Sequence, residues 1–308
     1  MKNLMFLLSF ILLFSSCEMV VDLDIPEHEP VLVVNSVLST DQPIQTSISH
    51  SIGAFDLNSI SSVNNASIEV FEDGELLGLM DVTSVSYFNY MGVLDSTYEY
   101  HLNHNPIAGK TYTYEIAHDD YENVRAETFV PNAFDLNVQE ISLLSSDDYE
   151  SQYRIHFSFD DDALNKNYYR LRLKFISTNY QYNHDFETSD ASIISSEGVE
   201  NDGVAYWGYE ALFDDDLFNG TQKEISIDFW DWKSFYVEEE GYEVNYLLEL
   251  TSISKAYYTY TRSLRAHQDN QDQFLFAGEP VQVYTNIENG LGILGASNTK
   301  SVEFILPE

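Results

Sequence analysis

Apolar and polar residues alternate with a period of two along most of this chain, the pattern of strands with one face in a core and one face in water. Val31-Leu32-Val33-Val34 reads as a buried strand. Ile68 and Val70 alternate with Ser67 and Glu69, and Glu72-Asp73-Gly74-Glu75 follows as a hairpin turn, its Asp-Gly pair supplying positive φ. Ile107-Ala108-Gly109-Lys110 is a second turn, leading into Tyr112, Tyr114 and Ile116, and the region closes at Phe129-Val130-Pro131. Beyond it, Tyr153, Ile155, Phe157 and Phe159 oppose Arg154, His156 and Ser158. Tyr169, Leu171, Leu173 and Phe175 oppose Arg170, Arg172 and Lys174. Ile225, Ile227 and Phe229 alternate with polar residues, as do Val244, Tyr246, Leu248 and Leu250.

One segment departs from this period. Ala256, Tyr257, Tyr260 and Leu264 fall at helical spacing after Ser254, a good N-cap, which predicts a single long helix near 255–267. Arg262, Arg265 and His267 then fall in its last turns, where cations suit the dipole. The expected fold is mainly β. An immunoglobulin-like or fibronectin-like sandwich covers 28–131, and a second β-rich domain, carrying the helix, covers 132–308.

The N-terminus changes the picture. Met1-Lys2-Asn3 carries one positive charge, and Leu4 to Phe14 is apolar except for Ser9. Phe14-Ser15-Ser16 then leads to Cys17, the only cysteine in the chain. This is the build of a signal peptide, and the run falls short of the roughly 20 apolar residues that span a bilayer. The reading is a signal peptide over 1–16, diacylglycerol on Cys17 as the mature N-terminus, and a tether over 17–27. Disulfides and cysteine catalysis drop out.

Composition narrows the partners. Fifty-one acidic against fourteen basic residues give a net charge of −37, which disfavours nucleic acid and anionic lipid surfaces. Twenty-two Tyr and nineteen Phe argue against disorder and for a large core.

Longer stretches resemble the DUF4249 lipoproteins of Bacteroidota, a family of unknown function. Cys17-Glu18 with Asp22-Leu23-Asp24-Ile25-Pro26 opens the resemblance, and Asn167-Tyr168-Tyr169-Arg170-Leu171-Arg172-Leu173 and Phe213-Asp214-Asp215-Asp216-Leu217-Phe218-Asn219-Gly220 continue it. Ala256-Tyr257-Tyr258-Thr259-Tyr260, Gly278-Glu279-Pro280-Val281 and Tyr284 to Gly295 complete it, with Leu294 where the family more often carries an aromatic. The resemblance implies an outer-membrane, lipid-anchored protein at the cell surface, often encoded beside a TonB-dependent receptor. The expected role is a non-catalytic accessory of such a transporter or another outer-membrane β-barrel. The alternative is a structural subunit of an outer-membrane assembly or secretion complex.

Candidate chemistry is sparse. Asp214, Asp215 and Asp216 offer hard oxygens suited to calcium, the only cofactor considered, though they do not follow the twelve-residue calcium loop. Asp160-Asp161-Asp162 reads as a solvated loop after a strand. His101-x-x-His104 lacks a third ligand and reads as a turn. Gly290-x-Gly292-x-x-Gly295 is spelled like a dinucleotide loop but has no helix after it, so its glycines suit a loop or bulge entering a last strand over 302–306. No nucleophile elbow or zinc-protease helix appears, so a hydrolase is disfavoured. Aromatics remain. Tyr206, Trp207 and Tyr209, with Phe213 and Phe218 of the nearby acidic loop, form the candidate partner or ligand surface. The competing reading pins Phe213 and Phe218 into the core. Trp230, near a strand end, is read as core.

Overall fold

The computed structural model describes residues 28–53, 60–88, 94–177, 181–197, 205–232, 245–272 and 281–307. Cys17 and the tether lie outside the described residues. Among the described residues the chain is mainly β, with two helices.

Eight strands come first: β1 (Leu32–Ser39), β2 (Ile44–His50), β3 (Ser67–Glu72), β4 (Glu75–Leu79), β5 (Asp81–Phe88), β6 (Leu94–Leu102), β7 (Thr111–His118) and β8 (Tyr121–Phe129). The predicted Asp73-Gly74 turn joins β3 to β4, with φ of 48° and 83° at its two central residues. The second half holds β9 (Leu136–Ser146), β10 (Glu150–Asp160), β11 (Tyr168–Ile176), β12 (Gln181–His184), β13 (Phe186–Thr188) and α1 (Ala191–Glu197). Then follow β14 (Tyr206–Gly208), β15 (Ala211–Asp214), β16 (Gln222–Trp232), β17 (Asn245–Ile253), α2 (Lys255–Asp272), β18 (Ile287–Glu288) and β19 (Leu291–Phe304).

These strands build two sandwiches that share one sheet. The large sheet runs β12-β11-β17-β19-β1-β2-β6-β5, with β15 added on β11. Its β1, β2 and β6 face the sheet β18-β8-β7-β3-β4 across a core that includes Leu32, Val34, Ile48, Ile68, Tyr100, Tyr112 and Tyr114. Its β11 and β17 face the sheet β14-β13-β16-β10-β9 across Phe157, Leu171, Phe175, Ile227, Phe229 and Leu248.

Strand β19 is the hinge of this arrangement. Its first half pairs in parallel with β1, from Val33–Leu291 to Ser39–Ser297, and its second half pairs antiparallel with β17, from Ile253–Ser297 to Tyr246–Phe304. Ile287, Leu294 and Ala296 belong to the first core, and Phe304 and Leu306 pack on the second. A single cut at 131 therefore does not separate two self-contained domains, because residues near the end of the chain complete the first. The glycines read as a loop entering a short last strand lie at or within this long one. Gly292 has φ +96°, and a Cβ there would collide with the Val34 carbonyl on β1. The parallel pairing needs that bare backbone.

Helix α2 starts where Ser254 predicts: Ser254 Oγ accepts from Tyr257 N at 3.2 Å. It runs to Asp272, past the expected end, so Arg262 and Arg265 sit in mid-helix and serve tertiary contacts instead of the dipole. Arg262 donates to the Ser196 carbonyl of α1, and Arg265 joins Glu210 beside the outer face of β11, where Arg170, Arg172 and Lys174 point away from the core. Arg265 binds Glu210 at 2.6 Å, and Arg170 donates to Tyr257 Oη at 2.7 Å. Glu249 on β17 takes Arg172 and, at 2.6 Å, Lys174. Burial alone would raise the Glu249 carboxyl, yet Lys174 and Arg172 hold it below the ordinary glutamate range. Tyr258 packs on Tyr168 with ring centroids 4.7 Å apart, sealing a small apolar cluster with Leu212 and Ile253. The short helix α1, not expected from the sequence, is capped by Asp190, which accepts from Ser192 N at 3.0 Å.

Candidate functional site

Among the described residues, no element covers the opposite outer face of the second sandwich. In β16 the buried residues are Ile225, Ile227 and Phe229, so Ser226, Asp228, Trp230 and Trp232 point outward. Edge strand β14 pairs with β13, and Glu187 of β13 stands opposite both Trp207 and Asp228. This register brings all three tryptophans of the chain to one face. Trp207 leans across Glu187 and stacks on Trp230, ring centroids 5.1 Å apart and planes 18° from parallel. Trp207 remains 59% exposed and Trp232 50% exposed, and Tyr209, just beyond β14, is 62% exposed.

Polar groups border the rings. Arg154 on β10 grips Asp228 with two hydrogen bonds, each 2.7 Å. Gln152 stands opposite Trp230, and His156 meets Ser226 at 2.9 Å. Exposed indole faces beside a fixed ion pair and an amide can stack on a flat or apolar group while polar neighbours set its orientation.

The structure divides the candidate surface residues between exterior and core. Trp207 and Tyr209 are exposed. Tyr206 is not, because the residue next to Trp207 must face inward. Its ring packs near Phe186, its hydroxyl donates to the Glu210 carbonyl, and burial pushes its pKa up. Phe213 and Phe218 are core residues. Phe213 lies opposite Tyr169 in the β15–β11 pairing with rings 5.4 Å apart, and Phe218 meets Phe159 edge-on at 5.8 Å. Trp230, read as core, belongs to the outer face, and Trp232 joins it. The parity of β16 carried that signal: with Phe229 inward, its neighbours point out.

The acidic clusters prove structural in what they touch. Asp214, Asp215 and Asp216 offer carboxylate oxygens within 4.8 Å of one another. Lys166 already lies between two of them, 2.6 Å from Asp216 and 3.4 Å from Asp214, and its bond to Asp216 raises its pKa. Asp215 is buried, accepts from Asn167 N at 2.8 Å, and has its pKa raised by that burial. Three carboxylates supply only part of the six to eight oxygens that calcium takes, and Lys166 engages two of them. The Asp160–Asp162 segment is no simple solvated loop. Asp161 accepts from Tyr169 Oη at 2.5 Å and Gly220 N at 2.7 Å, and Asp162 accepts from Asn132 at 2.6 Å. His104 sits between Glu72 and Tyr112, each 3.2 Å away.

Fold and surface together define a mainly β protein of two sandwiches joined by a common strand, with an aromatic face on the second that no described element covers. The chain belongs to the DUF4249 family, a domain of unknown function, whose model matches residues 18–303. No curated protein matches it.

Proposed function

We propose that this chain is a binding protein without catalytic machinery, anchored at the outer membrane through lipid on Cys17 and exposed at the cell surface. In this reading it serves a TonB-dependent transporter as an accessory that captures or gates a nutrient. The observation that carries the binding role is the gathering of Trp207, Trp230 and Trp232 on one outer face beside the Arg154–Asp228 pair. Trp, Tyr and Arg are the residue types that dominate binding energy at interfaces, and ringed by polar groups they make an anchor with a rim.

A second reading is a structural subunit of an outer-membrane assembly or secretion complex. It draws on a different surface. Leu76 and Leu79 of edge strand β4, and Val82 and Tyr87 of edge strand β5, are all exposed, on two strands joined through Met80. Edge strands that carry exposed apolar side chains favour strand-to-strand contact with another chain.

Affinity purification of the chain from membranes in mild detergent tests both. Recovery of a TonB-dependent receptor, reduced by Trp207→Ala, supports the first reading. Recovery of other barrel or assembly proteins, insensitive to Trp207→Ala and lost on Leu79→Lys, supports the second. Recovery of the chain alone in every condition overturns both. Cys17→Ala should release the protein or leave an uncleaved precursor, and normal processing with membrane retention would remove the anchor from the proposal.

A further inference from the structure

A cavity of about 370 Å³ opens at one end of the second sandwich, between residues 132–135, which lead into β9, and the β10–β11 loop. Four acids line it, Asp135, Asp160, Asp161 and Asp162, and no lysine or arginine does. The other acidic triplet differs in this respect. Asp214 and Asp216 share Lys166, whereas none of these four acids forms an ion pair among the described residues.

Asp161 and Asp162 are nevertheless held firmly. Asp161 accepts from Tyr169 Oη at 2.5 Å, Gly220 N at 2.7 Å and Asn167 Nδ2 at 3.2 Å. Asp162 accepts from Asn132 Nδ2 at 2.6 Å and Leu164 N at 3.0 Å, and the Leu164 N–H holds its carboxyl below the usual aspartate range. All of these donors are uncharged. They orient two adjacent carboxylates without cancelling their charge, which leaves a fixed attraction for a cation.

Ser252 supplies a second, independent observation. It stands on β17 opposite Tyr169 of β11, so the two side chains leave the sheet on the same side, and both residues line the cavity. Ser252 is only 4% exposed, and its Oγ makes no hydrogen bond among the described residues. The described side-chain polar atoms that are both partnerless and sealed from solvent are Thr128 Oγ1 and Arg170 Nε. Ser252 Oγ is not one of them, so it is open to the cavity. A largely buried hydroxyl without a partner is costly, and one that faces a cavity marks where a ligand or water completes it.

We infer that this cavity binds a small organic cation through its ammonium group, with Asp161 and Asp162 matching the charge and Ser252 Oγ accepting a hydrogen bond. Phe134 and Leu164 line the same cavity and offer apolar surface to the carbon body of the molecule. The volume suits a small ligand. A bare metal ion fits less well. It needs a close cage of oxygens, and among the described residues only Asp214, Asp215 and Asp216 bring three carboxylates within 4.8 Å of one another. The cavity shares no residue with the tryptophan face, and either site can fail without the other.

The test is a titration of the full chain, labelled with ¹³C-methyl alanine, at constant ionic strength. The probes are benzylamine and 1,4-diaminobutane, with benzyl alcohol and calcium chloride run beside them. The methyl signal of Ala133, which lines the cavity, should shift and saturate with at least one amine and not with the alcohol. Asp162→Asn should weaken that binding at least tenfold. Ser252→Ala should weaken it severalfold with the thermal midpoint unchanged or higher, and carries the test if Asp162→Asn does not fold. Asp216→Asn removes the same charge from the triplet that holds Lys166 and should leave binding unchanged. Overturning results are no saturable shift with either amine, equal saturation by benzyl alcohol, saturation by calcium chloride alone, or equal weakening by Asp216→Asn and Asp162→Asn.

Discussion

The two outer faces of the second sandwich begin from the same alternating pattern and end in opposite states. On the β11–β17 face the outward residues are Arg170, Arg172, Lys174 and Glu249, and helix α2 packs over part of this face, with Tyr257 on Arg170. On the β16–β10 face the outward residues include Trp230, Trp232, Asp228 and Arg154, and no described element lies over them. One would expect the apolar face to be covered and the charged one left to water. The reverse holds because the charged face is neutralised in place. Four of the fourteen basic residues, Arg170, Arg172, Lys174 and Arg265, converge there on Glu197, Glu210 and Glu249. With charge matched, Tyr168, Tyr257 and Tyr258 can bury their rings under the helix. On the other face the indoles stack on each other and stay open. A covered polar face is a matter of stability, and an uncovered aromatic one points to a partner.

Substitutions can break that contrast. The largest effect should come from Glu249→Ala. It leaves Arg172 and Lys174 half-buried without their anion, and loss of one partner from a buried pair costs about 3 kcal/mol. Denaturant unfolding measures it, and a loss under about 1 kcal/mol would mean the network is only a solvated surface. Trp207→Ala should do the opposite in the same assay. Stability should change by no more than about 1 kcal/mol, the worth of one aromatic pair. Partner retention should fall about tenfold, or about 1.4 kcal/mol. If both variants lose stability equally, the two faces do not differ as described. Ser254→Ala should cost about 1 kcal/mol through the lost cap of α2.

Acid should give the smallest and most selective effect. The Glu249 carboxyl is held below its ordinary range in the fold, so the stability it contributes is present above the unfolded value and lost as pH falls through the folded one. Asp215 acts with the reverse sign. Its raised pKa favours the fold below the unfolded value, and that contribution is lost as pH rises through the folded one. Glu249→Gln should therefore flatten the acid limb of a stability–pH profile, and Asp215→Asn should steepen it.

Much of this was legible in the sequence. The alternation of Tyr169–Phe175 and Ile225–Phe229 gives the strands and their faces, the Asp73-Gly74 pair gives a hairpin, and Ser254 marks the start of α2. What the sequence hid is whatever depends on partners far along the chain. Arg265 read as a helix-end cation because Glu197 and Glu210 are remote in sequence. Asp161 and Asp162 read as solvated because Tyr169, Gly220 and Asn132 converge on them only in the fold. The glycines at 290, 292 and 295 looked like a loop because nothing local shows that Gly292 must pass beneath the Val34 carbonyl. The outward setting of Trp230 was there in the parity of β16, outweighed by its place near a strand end.

Strand β19 also sets an order of events. Val33 lies in the first described strand and Leu291 in the last, yet they are neighbours in the sheet. Neither core can close until nearly the whole chain has emerged, and pairings this distant in sequence form slowly. Both halves of the fold then lock together when β19 enters between β1 and β17.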